Sequence, residues 1–393
     1  MTALLLRRRA LALFGILLVA ANLRAALTSV GPVVNDIRGE VHLSALAASA
    51  LTSVPLLAFA VVSPVAPALA NRLGLERTLA AAVLLLGIGT VTRSLQPDDL
   101  LWVGTALVGA AIAVLNVTLP SLVKRDFPTR IGPITGTYTA VQSCLAAAAA
   151  GLAAPIASHA GWRLAIGVWA ALAVIALLGF IPLLLRPTAA PESPVPQPER
   201  GRAASPWRSA IGWQVSVFMG LQSMFYYVLL AWLAPIDQAA GASPDGAGLH
   251  LSFLNFGSLA GSLVCSWLLH RLPDQRPIAI GGSVLMIASI LGLVGAPQLT
   301  WLWSWTAGLA CGVCLVLALS LFGLRTRDHQ AAAALSGMAQ CVGYALAATG
   351  PALAGLLHDT TDGWTVPLLA LGVGTCCQLV VGTLASRRRD WQE

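Results

Sequence analysis

Charge is what this sequence has least of. Only 10% of its 393 residues are Asp, Glu, Lys or Arg, against 57% hydrophobic side chains. A soluble protein carries about 25% charged residues, and a surface facing water is not built from so few. The composition therefore argues against a soluble enzyme. No Gly-Lys-Ser phosphate loop occurs, so no ATP engine is expected, and no nucleophile stands near a base in a catalytic context. Cysteines number seven (Cys144, Cys265, Cys311, Cys314, Cys341, Cys376, Cys377), all inside apolar runs. An odd count there argues against a disulfide framework. Cys311-x-x-Cys314 has metal-like spacing but no second pair, and reads as packing. No metal and no cofactor are expected.

What the chain has is apolar length. A helix needs about 20 apolar residues to cross a bilayer. Twelve windows satisfy this: 10–33, 44–69, 78–95, 99–123, 133–157, 162–185, 209–234, 249–269, 277–296, 299–323, 331–357 and 364–385. The third and ninth are short. Helices follow from unbroken apolarity, since barrel strands alternate and are about 10 residues long. Arg7, Arg8 and Arg9 ahead of an apolar run resemble a signal peptide. That run continues to Val34, too long for a signal, so it reads as the first membrane helix.

The net charge of +7 is a topology signal. Nineteen Lys and Arg residues fall on one side of the twelve windows, while Arg38, Arg93 and Arg163 fall on the other. The positive-inside rule puts the crowded side, with both termini, in the cytoplasm of a cell (inner) membrane. Acids and histidines all read as loop or helix-end residues. Arg24 alone reads as a charge at membrane depth.

Residues 186–208 form the one long polar interruption, with Pro187, Pro191, Pro194, Pro196, Pro198 and Pro206. Repeated proline reads as a mobile cytoplasmic linker. It divides the chain into six-helix units at 1–185 and 209–393. The two units echo each other. Asn71-Arg-Leu-Gly-Leu-Glu-Arg77 answers His270-Arg-Leu-Pro-Asp-Gln-Arg276, Lys124-Arg-Asp answers Arg325-Thr-Arg-Asp, and His159-Ala-Gly-Trp162 answers His358 with Gly363-Trp364. An all-α integral membrane protein of this build is most simply a secondary carrier with its site between the halves.

At these residues the chain resembles the major facilitator superfamily. The family signature after the second span, Gly-x-x-x-Asp-Arg-x-Gly-Arg-Arg, is matched at Arg72 and Gly74; Pro67, Asn71 and the single Arg77 depart from it. This marks Asn71, Arg72, Gly74, Arg77 and, in the second half, Arg271 as conformational or gating loop residues. Within the superfamily the chain is similar to the cyanate permease branch, which includes nitroimidazole transporters. That likeness rests on Asn22-Leu-Arg-Ala-Ala-Leu-Thr-Ser-Val-Gly-Pro32, Asn116-Val-Thr-Leu-Pro120 with Lys124-Arg-Asp-Phe-Pro128, Gly136-Thr-Tyr138, and Phe218-Met-Gly-Leu-Gln-Ser223 with Tyr226, Tyr227 and Trp232. It implies the twelve-helix fold and alternating access.

A charge at the depth of Arg24 costs about 2.5–3.5 kcal/mol. With no acid inside a span, an anionic solute is one counter-charge, and the planar guanidinium suits oxyanions and carboxylates. The other reading is structural, with Arg24 bonded to backbone carbonyls or hydrated. Thr28 shares its helical face. Gln222 and Tyr226 stand at i,i+4 opposite the first span, with Tyr227 and Trp232 reading as interfacial aromatics. Asn116, Gln142, Asn255 and Gln340 are polar groups that cannot face lipid cheaply, so they line a pore or join helices. The expectation is a secondary or facilitative transporter moving a small anionic solute, with an efflux carrier for nitro-aromatic compounds as the alternative. The partners expected are the solute and the bilayer, with no nucleic acid. A monomer is adequate.

Overall fold

The computed structural model describes residues 2–43, 45–184 and 205–387. The centre of the polar 186–208 segment lies outside the described residues. Among those described there is no strand. The helices are α1 (Thr2–Thr28), α2 (Val34–Val41), α3 (Ala45–Val62), α4 (Ala66–Leu73), α5 (Leu75–Thr92), α6 (Asp99–Asp126), α7 (Ile131–Gly167), α8 (Ala170–Leu184), α9 (Ala210–Ala239), α10 (Pro244–Arg271), α11 (Arg276–Gly295), α12 (Thr300–Leu324), α13 (His329–Thr361) and α14 (Thr365–Ala385).

In hydrocarbon every backbone N–H and C=O must be satisfied within the segment, and long apolar runs do this as helices. Among the described residues ten helices are long and apolar enough to cross a membrane, eleven when α3 and α4 count as one span bent by 58°. Pro64 sits in that bend, where it cannot donate to the ladder. α7 breaks at Gly161, whose φ of 81° only glycine adopts readily. The break separates 131–160 from the arm that runs on into α8. Each of the twelve windows thus holds a helical segment, including the two short ones at α5 and α11.

α1 packs on α7 and α8, and α5 on α6 and α8; α9 packs on α13 and α14, and α10 and α11 on α12. The two sets meet along α7–α10 and α3–α13. Small residues bring these helices together at the arginine-rich end. A side chain on Gly136 would collide with Ser266, and one on Gly337 would meet Ser63 and Pro67. Gly109 lies as tightly against Pro55. These glycines serve close approach between helices. Lipid-facing positions such as Val61, Leu178, Leu291 and Val373 stay exposed and apolar.

Two charged residues sit deeper than the sequence suggests. Arg93, read as a loop residue, is 1% exposed and donates from Nη2 to the Ile166 carbonyl at 3.3 Å. Asp237, also read as a loop acid, belongs to α9 and is 2% exposed. The helix does not stop at Pro235, so the window ending at 234 falls short by more than a turn.

Candidate functional site

α1 is oriented by three side-chain bonds to its neighbours' backbone and its own. Asn22 Nδ2 donates to the Leu172 carbonyl at 3.1 Å, while Thr28 Oγ1 donates to the carbonyls of Arg24 and Ala146, both at 3.1 Å. With α8 held on one side and α7 on the other, Arg24 points to the middle of the bundle. There it lines two adjoining cavities of about 40 and 20 Å³. Both are bounded by Arg24, Tyr227, Leu315 and Tyr344.

The larger cavity adds Asn116, Gln142, Phe59 and Met219. The smaller adds Gln222, Ser223, Tyr226, Ser258 and Cys311. Tyr226 donates its hydroxyl to Asn255 Oδ1 at 3.3 Å, and Asn255 Nδ2 is anchored on the Leu251 carbonyl at 3.1 Å. Gln222 Nε2 donates to Ser223 Oγ at 2.7 Å. No carboxylate lines either cavity. The Arg24 guanidinium carbon lies 5.4 Å from the centre of the Tyr226 ring. Among the described residues no hydrogen bond or ion pair falls on the guanidinium, although the cation–π contact offsets about 0.5–2 kcal/mol of its desolvation.

Of the eight residues expected at the site, Arg24, Asn116, Gln142, Gln222 and Tyr226 line a cavity, and Asn255 stands directly behind Tyr226. Thr28 and Gln340 do not line it. Thr28 is spent on backbone carbonyls. Gln340 is fully buried, donating to Ser336 Oγ at 3.2 Å, with its Oε1 unpartnered. Tyr227, read as an interfacial aromatic, lines both cavities and stands edge-on to Tyr226 at 5.4 Å. Phe59 gives no sequence signal, being one apolar residue in an apolar helix. Its ring meets Tyr344 at 4.9 Å and lines the larger cavity.

At that end Gly74 joins α4 to α5 with φ 86°. Asn71, Arg72 and Arg77 around it are exposed, and Arg271 lies over the Trp267 ring at 5.6 Å. Close ion pairs at this end join Arg125 to Glu76 at 2.6 Å and to Asp126 at 2.8 Å, tying α6 to the start of α5.

A bundle of membrane-length helices around a small polar cavity that holds, among the described residues, one guanidinium is the build of a solute carrier. The Major Facilitator Superfamily model matches residues 12–348, and the chain belongs to that family. It is 41% identical to an uncharacterised transporter of Bacillus subtilis (strain 168), over 95% of this chain and 93% of that one. It is 36% identical to the 2-nitroimidazole transporter of Escherichia coli (strain K12), over 99% and 98%. The cyanate transport protein of the same organism is 27% identical over 89% and 90%. In fold the chain is similar to the E. coli fucose:proton symporter, with a TM-score of 0.77 at 12% identity, covering 98% of this chain and 99% of that one. The protein is a multi-pass membrane transporter.

Proposed function

We propose that this transporter moves a small anionic solute by alternating access, with residues 1–185 and 209–393 rocking as two halves about the Arg24 cavity. The observation that carries the reading is a guanidinium that, among the described residues, has no ion-pair partner and faces a cavity lined by no carboxylate. A bound anion removes the cost of that charge; Asn116, Gln142 and Gln222 then supply hydrogen bonds, and Tyr226 holds the guanidinium plane. Cyanate, another small oxyanion and a small carboxylate all match this chemistry. The arginine-rich end is the cytoplasmic one, and both termini lie there. One chain contains the whole site, so a monomer suffices.

A potential of 100 mV, negative inside, opposes entry of a monovalent anion by about 2.3 kcal/mol. Since no acid lines the cavity, the compensating charge travels on the solute, on a co-ion or by exchange. A second reading has an observation of its own. Phe59, Tyr226, Tyr227 and Tyr344 make the lining strongly aromatic, which favours an efflux carrier for a planar nitro-aromatic cargo; the name of the 2-nitroimidazole relative gives a solute of that class.

Counterflow in proteoliposomes with cyanate, nitrate, benzoate and 2-nitroimidazole separates the two. The anion reading requires that Arg24→Lys, which keeps charge without the planar fork, lose at least about 10-fold in rate for anions. Full retention in Arg24→Lys, with transport of the neutral aromatic alone, selects the second reading.

A further inference from the structure

One buried carboxylate has no part in the central cavity. The Asp237 Oδ2 atom lies 2.6 Å from His250 Nδ1 on α10. An ionised carboxylate only accepts hydrogen bonds, so Nδ1 carries a proton and Nε2 is the atom left to exchange one. The histidine side chain is 20% exposed and the aspartate 3%, so solvent reaches the pair through the imidazole.

Asp237 lies eleven residues beyond Tyr226, three helical turns, on the same face of α9 and about 16 Å further along. α9 and α10 are therefore joined by two rungs. Tyr226–Asn255 stands at the cavity, and Asp237–His250 stands at the end away from the arginine-rich face. Pro235 lies between them and removes one backbone hydrogen bond from α9, so the segment beyond it bends most easily.

Among the described residues no other side chain bonds this pair; α7, packed on α10, carries His159, bonded to Ser158 and the Pro155 carbonyl, and Arg163, paired with Glu40 and Asp98. α12 and α14, packed on α9, carry no charged residue; of their thiols Cys311 lines the central cavity, Cys314 accepts from Gln378, and Cys376 and Cys377 are exposed. α13 brings His358 and Asp359 to the same end, but these contact each other at 3.3 Å, and the His358 ring lies on Trp364 at 4.1 Å. α10 carries Asp245 in its first turn, and His270 and Arg271 at its far end.

We propose that Asp237 and His250 form a proton-binding site that holds the outer end of α9 on α10, in the orientation given above. With the proton on Nε2 the pair is an imidazolium and a carboxylate, net neutral and joined by a charge-assisted hydrogen bond. When Nε2 gives its proton to water, Nδ1–H still donates, but the buried pair is left with a net negative charge. A low-dielectric interior opposes that charge, and it is relieved when water reaches Asp237 as α9 bends beyond Pro235. Whether Nε2 holds its proton therefore sets how firmly this end is held, and the outer solution supplies or takes that proton. The inference stands whatever solute the central cavity takes.

Hydrogen-exchange mass spectrometry of the full-length protein in nanodiscs tests it without any solute. Peptides covering 231–250 are followed at about pH 5.5 and 7.5, with labelling times scaled for intrinsic exchange. Wild type is expected to exchange there at least about 5-fold faster, after scaling, at the higher pH, with α12 unchanged. His250→Gln keeps a donor for Asp237 but lacks the imidazole, so the buried carboxylate stays uncompensated and this protein is expected to exchange at the fast rate at both pH values. A wild type without pH dependence, or a His250→Gln protein that keeps it in full, overturns the proposal.

Discussion

Arg24 on α1 and Tyr226 on α9 meet across the central cavity, guanidinium over ring at 5.4 Å. The contact joins residues that the sequence separates by two hundred positions, and behind it Asn255 fixes the tyrosine hydroxyl.

Tyr226→Phe keeps the ring and loses the hydroxyl, so solute affinity should fall by about 1 kcal/mol, close to 5-fold. Tyr226→Leu loses the ring as well and should cost about 1–2 kcal/mol more, because Arg24 is no longer held flat. Asn255→Ala acts through the same hydroxyl, so the Tyr226→Phe, Asn255→Ala double variant should be little worse than either single one. Uptake KM across this cycle checks the coupling.

Gly136 has no room for a side chain because Ser266 of α10 occupies it. Gly136→Ala should therefore destabilise the closed arginine-rich end by about 1–3 kcal/mol and slow transport. Adding Ser266→Gly removes the obstructing group and should restore most of both. Melting temperature and uptake of the three variants, measured together, decide it.

How much of this was legible in the sequence follows from what lipid forbids. Twelve apolar runs announce twelve helical segments, and α5 and α11 form although their windows are short, since a helix costs nothing where the backbone has no other partner. Arg24, Asn116, Gln142, Gln222 and Tyr226 stand out because polar groups in apolar runs need a reason. Tyr344, on one helical strip with Ser336 and Gln340, carries the same signal; Phe59 does not, because lipid-facing and core-facing sides of a membrane helix are equally apolar and no periodicity marks the inward one. Thr28 and Gln340 share the polar signal but spend it within the bundle; a helical threonine readily bonds its own carbonyl four residues back. Asp237 was hidden by Pro235, which reads as a helix end and here is a bend. Arg93 was hidden by the end of a short helix, where a loop and a buried cap look alike.

Arg93 gives a stability prediction with a definite sign. Burial lowers its pKa to about 10, still charged at neutral pH, and its Nε has no partner. Because the folded value lies below the ordinary arginine value, the unfolded chain binds the proton more tightly, and this residue's contribution is unfavourable at neutral pH and begins to fade as pH rises past about 10. Arg93→Met fills similar space without the charge, so its melting temperature should equal or exceed wild type at neutral pH. That advantage should shrink as pH rises above about 10. A large loss of stability in Arg93→Met would show that the single bond to Ile166 outweighs desolvation.

The central claim is that the Arg24 charge is neutralised by cargo. Its most direct test is the anion-dependent rise in melting temperature of purified protein, wild type against Arg24→Ala, with cyanate, nitrate and benzoate as probes. At least one anion should stabilise wild type, and the same anion should bind Arg24→Ala at least about 30-fold more weakly, a loss of about 2 kcal/mol. Equal stabilisation of both proteins by that anion would contradict the account.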